Sequence, residues 1–119
     1  MKVMVFVKRN PNLTAGDTEA GRDAAAMDAY TDELVAAGIR LDVAGLRPGS
    51  ESARVDFSGA QIRVQNGHVA EADEHIVGFW IWRVRSMEEA IEWAKRCPFP
   101  SGDVGLLELR PFNAIDDAE

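Results

Sequence analysis

Cysteine, histidine and basic residues are all scarce in this chain, and each scarcity closes off a class of function. The single cysteine, Cys97, cannot form an intrachain disulfide and leaves no cysteine-based zinc cluster, which fits a reducing cytoplasm. Cys97 also follows a predicted helix C-terminus, a position that raises a thiol pKa rather than lowering it, so a nucleophilic role is not expected. Against 20 acidic residues stand 13 basic ones, for a formal net charge of -7. There is no Lys/Arg stripe, so neither nucleic acid nor an anionic membrane is expected as a partner. No window stays apolar for the length of a membrane span. The opening residues 1–8 are apolar for too few positions to be a signal h-region, and no small-residue cleavage site follows. A Gly-rich phosphate loop, a Gly-x-Ser-x-Gly elbow and a His-Glu-x-x-His pair are all missing, and no cofactor is expected.

What is present fits one domain over residues 1–119, with 46% hydrophobic and 28% charged residues, enough for a modest core without staples. The chain is organised around residues 76–85, Ile-Val-Gly-Phe-Trp-Ile-Trp-Arg-Val-Arg. Alternation places Gly78, Trp80, Trp82 and Val84 on one face and Val77, Phe79, Ile81 and Arg83 on the other. Both faces are mostly apolar, so the strand is expected to be covered on both sides, by helices on one and by a second subunit on the other.

The remaining elements follow in order. Val3, Val5 and Val7 alternate with Met4, Phe6 and Lys8 in a first strand that ends at Asn10-Pro11-Asn12. Ala24, Met27, Tyr30, Leu34 and Ala37 recur at helical steps, which predicts a helix over residues 19–37, capped by Asp17 or Thr18 and closed by Gly38. Residues 39–46 read as a second strand. Residues 54–57 and 61–64 around Ser58-Gly59 read as a hairpin, and Asn66-Gly67 adds a tight-turn signal that demands positive φ. Ser86-Met87-Glu88-Glu89 is a capping box that opens a helix to about Arg96, with Met87, Ala90, Ile91 and Ala94 buried and Glu92 paired to Arg96. Residues 103–110 form the last strand before Pro111.

Without the hairpin this is the split βαβ order of an α+β, ferredoxin-like fold of the dimeric α/β-barrel type, with the small β-hairpin inserted. Both helices then lie on one sheet face. The other face, expected to carry Met4, Phe6, Trp80 and Trp82, is too apolar to be left to water, and a homodimer through that open face would cover it.

Several stretches resemble the YCII-related family, specifically its branch with the DGPF motif. The first strand is similar to that family's opening, and Ala29-Tyr30-Thr31-Asp32-Glu33-Leu34 with Ala37-Gly38 is similar to its first helix. Gly45-Leu46-Arg47-Pro48, Gly78-Phe79-Trp80 and Leu107-Glu108-Leu109-Arg110-Pro111 resemble later family motifs. The signature itself stands here as Asn66-Gly67-His68-Val69, keeping Gly67 and the later Glu71. The histidine–aspartate pair proposed as catalytic in other YCII-like proteins has no counterpart, since the first helix holds no histidine. The resemblance implies a ferredoxin-like dimer with a cleft between sheet and helices.

The candidate functional residues are few. His75 precedes the central strand close to Glu71, Asp73 and Glu74, and an imidazole beside a carboxylate suits a general base, against the plainer reading of a solvated loop histidine. His68, Glu71 and His75 match no standard metal spacing, so no metal site is expected. Glu108 and Arg110 share one strand face and suit a polar ligand or a structural ion pair. Met4, Met27, Tyr30 and Trp80 suit an apolar pocket or plain packing, and Tyr30 stands out because a buried hydroxyl needs a partner. Three functions compete. The first is a cytoplasmic homodimer that binds a small, partly apolar molecule through Met4, Met27, Tyr30, Trp80, Glu108 and Arg110. The second is a cofactor-free acid–base enzyme using His75, Glu71 or Tyr30. The third is a regulatory module without chemistry.

Overall fold

The computed structural model describes residues 1–9, 16–47, 49–67, 75–98 and 105–117. Among these residues six strands and two α-helices follow one another: β1 (Lys2–Arg9), α1 (Gly16–Ala36), β2 (Arg40–Gly45), β3 (Ala53–Asp56), β4 (Arg63–Asn66), β5 (His75–Arg83), α2 (Met87–Lys95) and β6 (Gly105–Pro111). A short 3₁₀ turn, Gly49–Glu51, precedes β3.

Four strands form an open antiparallel sheet in the order β2-β5-β1-β6, and β3 and β4 make a separate two-stranded sheet. The large sheet and its two helices give the α+β, ferredoxin-like arrangement expected from the element order. It is not a closed barrel.

Register decides which side chains share a face. Val3 pairs with Trp82 and Val5 with Trp80 across β1 and β5, while Val5 and Val7 pair with Leu109 and Leu107 of β6. This set faces the helices. Val3, Val5, Trp80 and Trp82 are buried together with Tyr30 and Leu34 of α1 and Ala90 of α2. Removing each of the larger of these side chains from water stabilises the fold by about 1.5–3 kcal/mol. The two tryptophans therefore point into the helix-covered core and not to the open face, where the sequence had suggested they would lie. The open face carries the alternate residues: Met4 opposite Ile81 and Arg110, and Phe6 opposite Phe79 and Glu108.

Local signals account for most element ends. α1 closes on a Schellman motif, in which Ile39 N–H donates to the Leu34 carbonyl and Gly38 N–H to the Val35 carbonyl. Gly38 takes φ 74°, the left-handed region that glycine enters freely. Leu34 and Ile39, at the two ends of that motif, are both buried. The start of α1 differs from expectation: the helix begins at Gly16, so Asp17 and Thr18 lie inside it and neither is its cap.

α2 begins as its sequence suggests. Ser86 is extended, and its hydroxyl accepts from Glu89 N–H at 3.1 Å. The return contact is displaced by one residue, because Glu89 Oε1 accepts from Arg85 N–H at 2.8 Å. The expected Glu92–Arg96 pair is replaced by Lys95–Glu92 within the helix and Arg96–Glu33 between the helices. The Arg96 guanidinium lies over the Trp93 ring, 4.5 Å from its centroid, and that stacking turns it toward α1.

Candidate functional site

The sheet divides the sequence-predicted ligand residues into two groups that do not meet. Met27, Tyr30 and Trp80 belong to the helix side. Tyr30 stands edge-on to Trp80, with ring centroids 5.9 Å apart and planes at 77°. Its hydroxyl donates to the Trp93 carbonyl of α2 at 2.6 Å. Burial pushes the phenol above its ordinary pKa, with the neighbouring Cys97 adding to the rise. Tyr30 thus keeps its proton and joins one helix to the other. Met27 packs against the same core from its edge. Neither Trp80 Nε1 nor Trp82 Nε1 finds an acceptor among the described residues.

Met4, Glu108 and Arg110 belong to the open face. Lys8 Nζ donates to Glu108 Oε1 at 2.8 Å, and Arg110 Nη2 donates to Glu108 Oε2. The Lys8 hydrogen bond and its charge, followed by Arg110, hold the Glu108 carboxyl below the ordinary glutamate range. Arg110 also reaches over the Phe6 ring, 6.0 Å from its centroid. One carboxylate shared by two cations leaves a net positive cluster beside the apolar row Met4, Phe6, Phe79 and Ile81. This cluster is an ion-pair network and also a place where the carboxylate or phosphate of a ligand could exchange with Glu108.

The catalytic candidates are placed less fully. His75 opens β5, its backbone opposite Arg9. Glu71, with His68, Asp73 and Glu74, lies outside the described residues. Among the described residues, no three His, Cys, Asp or Glu side chains gather as they would around a metal ion. No helix of the described residues is long and apolar enough to cross a membrane.

A third place was not foreseen. An open groove of about 530 Å³ lies where α1 ends, β5 leaves the sheet and α2 begins. Ala37, Gly38, Ile39, Val84 and Met1 give it an apolar wall, and Arg83, Arg85 and Glu89 line the rest. Backbone bonds fix its floor: Arg83 N–H donates to the Ile39 carbonyl at 2.7 Å and Val84 N–H to the Met1 carbonyl at 2.9 Å. The terminal ammonium of Met1 donates back to the Val84 carbonyl at 3.0 Å. Arg85 forks onto Glu89 at the rim, and the Glu89 carboxyl is held below its ordinary value, first by the Arg85 backbone amide and then by its guanidinium. Its volume lies in the range of small-molecule sites. The glycine exit of α1 and the serine cap of α2 are both visible in the sequence, but their meeting depends on β2–β5 pairing and has no local signature.

Comparison with known proteins adds the lineage. Residues 1–113 match the model of the YCII-related domain. The chain is also 30% identical over 86 residues to a Rhizobium meliloti (strain 1021) protein named "Uncharacterized protein R00369", covering 72% of this chain and 69% of that protein.

Proposed function

The chain belongs to the YCII-related domain family, and from that premise we propose that it is a cytoplasmic homodimer that binds a small, partly apolar molecule. The observation that carries the dimer is the row Met4, Phe6, Phe79 and Ile81 at the centre of a sheet face that neither helix covers. Sheet faces of this kind are buried in stable proteins, and two copies related by a two-fold axis bury it symmetrically in an interface of about 2,000 Å². The ligand site is the groove between the sheet and the helix ends, with Ile39 and Val84 as its apolar wall and the Arg85–Glu89 pair as its polar rim. The Lys8–Glu108–Arg110 cluster supplies a second polar contact at the dimer seam. The DGPF branch is the part of the family that the chain follows, and Gly67 at φ 84° supports a tight turn at the signature's glycine.

An acid–base enzyme on the same scaffold has less behind it, because the Tyr30 proton is held by the Trp93 carbonyl. Light scattering at micromolar concentration tests the dimer. A mass of twice the 13.0 kDa chain is expected, and a monomer that melts cooperatively overturns it. Titration of a fragment set against methyl-labelled protein tests the ligand site: shifts confined to Ile39 and Val84 are expected, and shifts confined to the open face place the ligand elsewhere.

A further inference from the structure

We infer that the β3–β4 hairpin is an arm that lays its apolar face on the rim of a second copy's open sheet. The proposal rests on the homodimer reading and names a contact that makes it. Val55 pairs with Val64 across the hairpin, so the two share a face, and Phe57 and Ile62 carry the same alternation one step beyond the ladder. The other face holds Arg54, Asp56, Arg63 and Gln65. The hairpin is therefore amphipathic, like a sheet with a core on one side. Yet Val55 is 50% exposed, Phe57 71%, Ile62 64% and Val64 64%.

Among the described residues the hairpin is a two-stranded sheet of its own, joined to no strand of the four-stranded sheet. Two strands alone are marginal in water, and an apolar face needs a cover to hold them.

Two observations select a second copy as the cover. The first is area. The four side chains offer on the order of 400 Å² of apolar surface. With an equal area on the receiving sheet and the doubling of a two-fold axis, the two arms bury about 1,600 Å², the size of an ordinary stable interface. The second is continuity, since the open face, with the half-buried Met4, Phe6, Phe79 and Ile81 at its centre, is another apolar surface that the helices do not cover.

The test places a benzophenone photocrosslinker at Phe57 in the full chain, with a control at Arg54 on the polar face. The expected result is a covalent dimer from position 57, mapped by mass spectrometry to the edge strands β2 or β6 of the other chain, and none from position 54. Light scattering on the parent separates the two readings. A monomeric parent overturns dimer and arm together. A dimeric parent whose position 57 labels only its own chain, or nothing, overturns the arm and leaves the dimer. A Phe57→Ser/Ile62→Ser double variant gives an independent reading, because both residues are already exposed in the single chain. It is expected to melt as the parent does while its dimer dissociation constant rises about tenfold or more. An unchanged constant overturns the arm.

Discussion

Glycine 78 carries a steric argument specific to this sheet. A Cβ built there would lie 2.8 Å from the Ala44 carbonyl oxygen of the neighbouring strand, closer than real side chains approach backbone. Gly78→Ala should therefore push β2 from β5 and cost about 1–3 kcal/mol in denaturant unfolding. Cys97 makes a different kind of prediction. Burial pushes its thiol up to about 12, so at pH 8 it should react with a disulfide reagent far more slowly than free cysteine and recover the free rate in denaturant. The folded state holds this proton more tightly than the unfolded chain does. The associated stability is complete below the ordinary thiol value of ~8.5 and is lost as pH rises from there toward about 12. At this scale the sequence was informative wherever the cause was local. The left-handed glycines at 38 and 67 could be read from Ala37-Gly38 and Asn66-Gly67, and both have positive φ. The constraint on Gly78 comes from a strand more than thirty residues earlier, and no neighbour in sequence announces it.

Among the elements, the helix ends are the most readable and the most easily tested. Ser86→Ala should cost about 1 kcal/mol because the Glu89 amide loses its acceptor. Gly38→Ala should cost about 1–2 kcal/mol, since the Schellman exit holds that residue at positive φ. Equal denaturant midpoints for variant and parent would remove either argument. The start of α1 is poorly marked in the sequence, because Asp17 and Thr18 are good capping residues in isolation and nothing local prevents the helix from starting upstream of them. Strand β5 shows a subtler limit. Its period of two sorted Gly78, Trp80, Trp82 and Val84 from Val77, Phe79 and Ile81 correctly, but both sets are apolar. Which set faces the helices is decided by the chain's path between strands and is not written in the strand.

For the molecule as a whole, that sorting separates two substitutions that look alike in the sequence. Phe79→Glu lies on the open face and should split the proposed dimer while leaving a folded monomer. Trp82→Glu places an unpaired charge in the fully buried core and should unfold the chain, at a cost above about 4 kcal/mol. Light scattering with a denaturant melt of each variant distinguishes them, and a folded Trp82→Glu protein would contradict the core described above. The ferredoxin-like order was legible because it needs only element type and sequence order. The candidate site was not, because its groove joins residues 37–39 to residues 83–89 and the six expected ligand residues divide between opposite sheet faces.

The central position of β1 also governs how the chain is assembled in time. β1 is made before the other described strands, yet its partners on both sides, β5 and β6, come last among them: Val3 pairs with Trp82 on one side and with Pro111 on the other. Neither edge of β1 can be satisfied until most of the chain exists. Among the described ladders, only β3–β4 closes locally. Folding should therefore be governed by long loop closure, with refolding in the millisecond-to-second range, and the nascent chain carries an unpaired Val-rich strand until β5 and β6 have been made. A circular permutant that begins at β5 and joins the original ends would shorten that wait and should refold faster at equal stability.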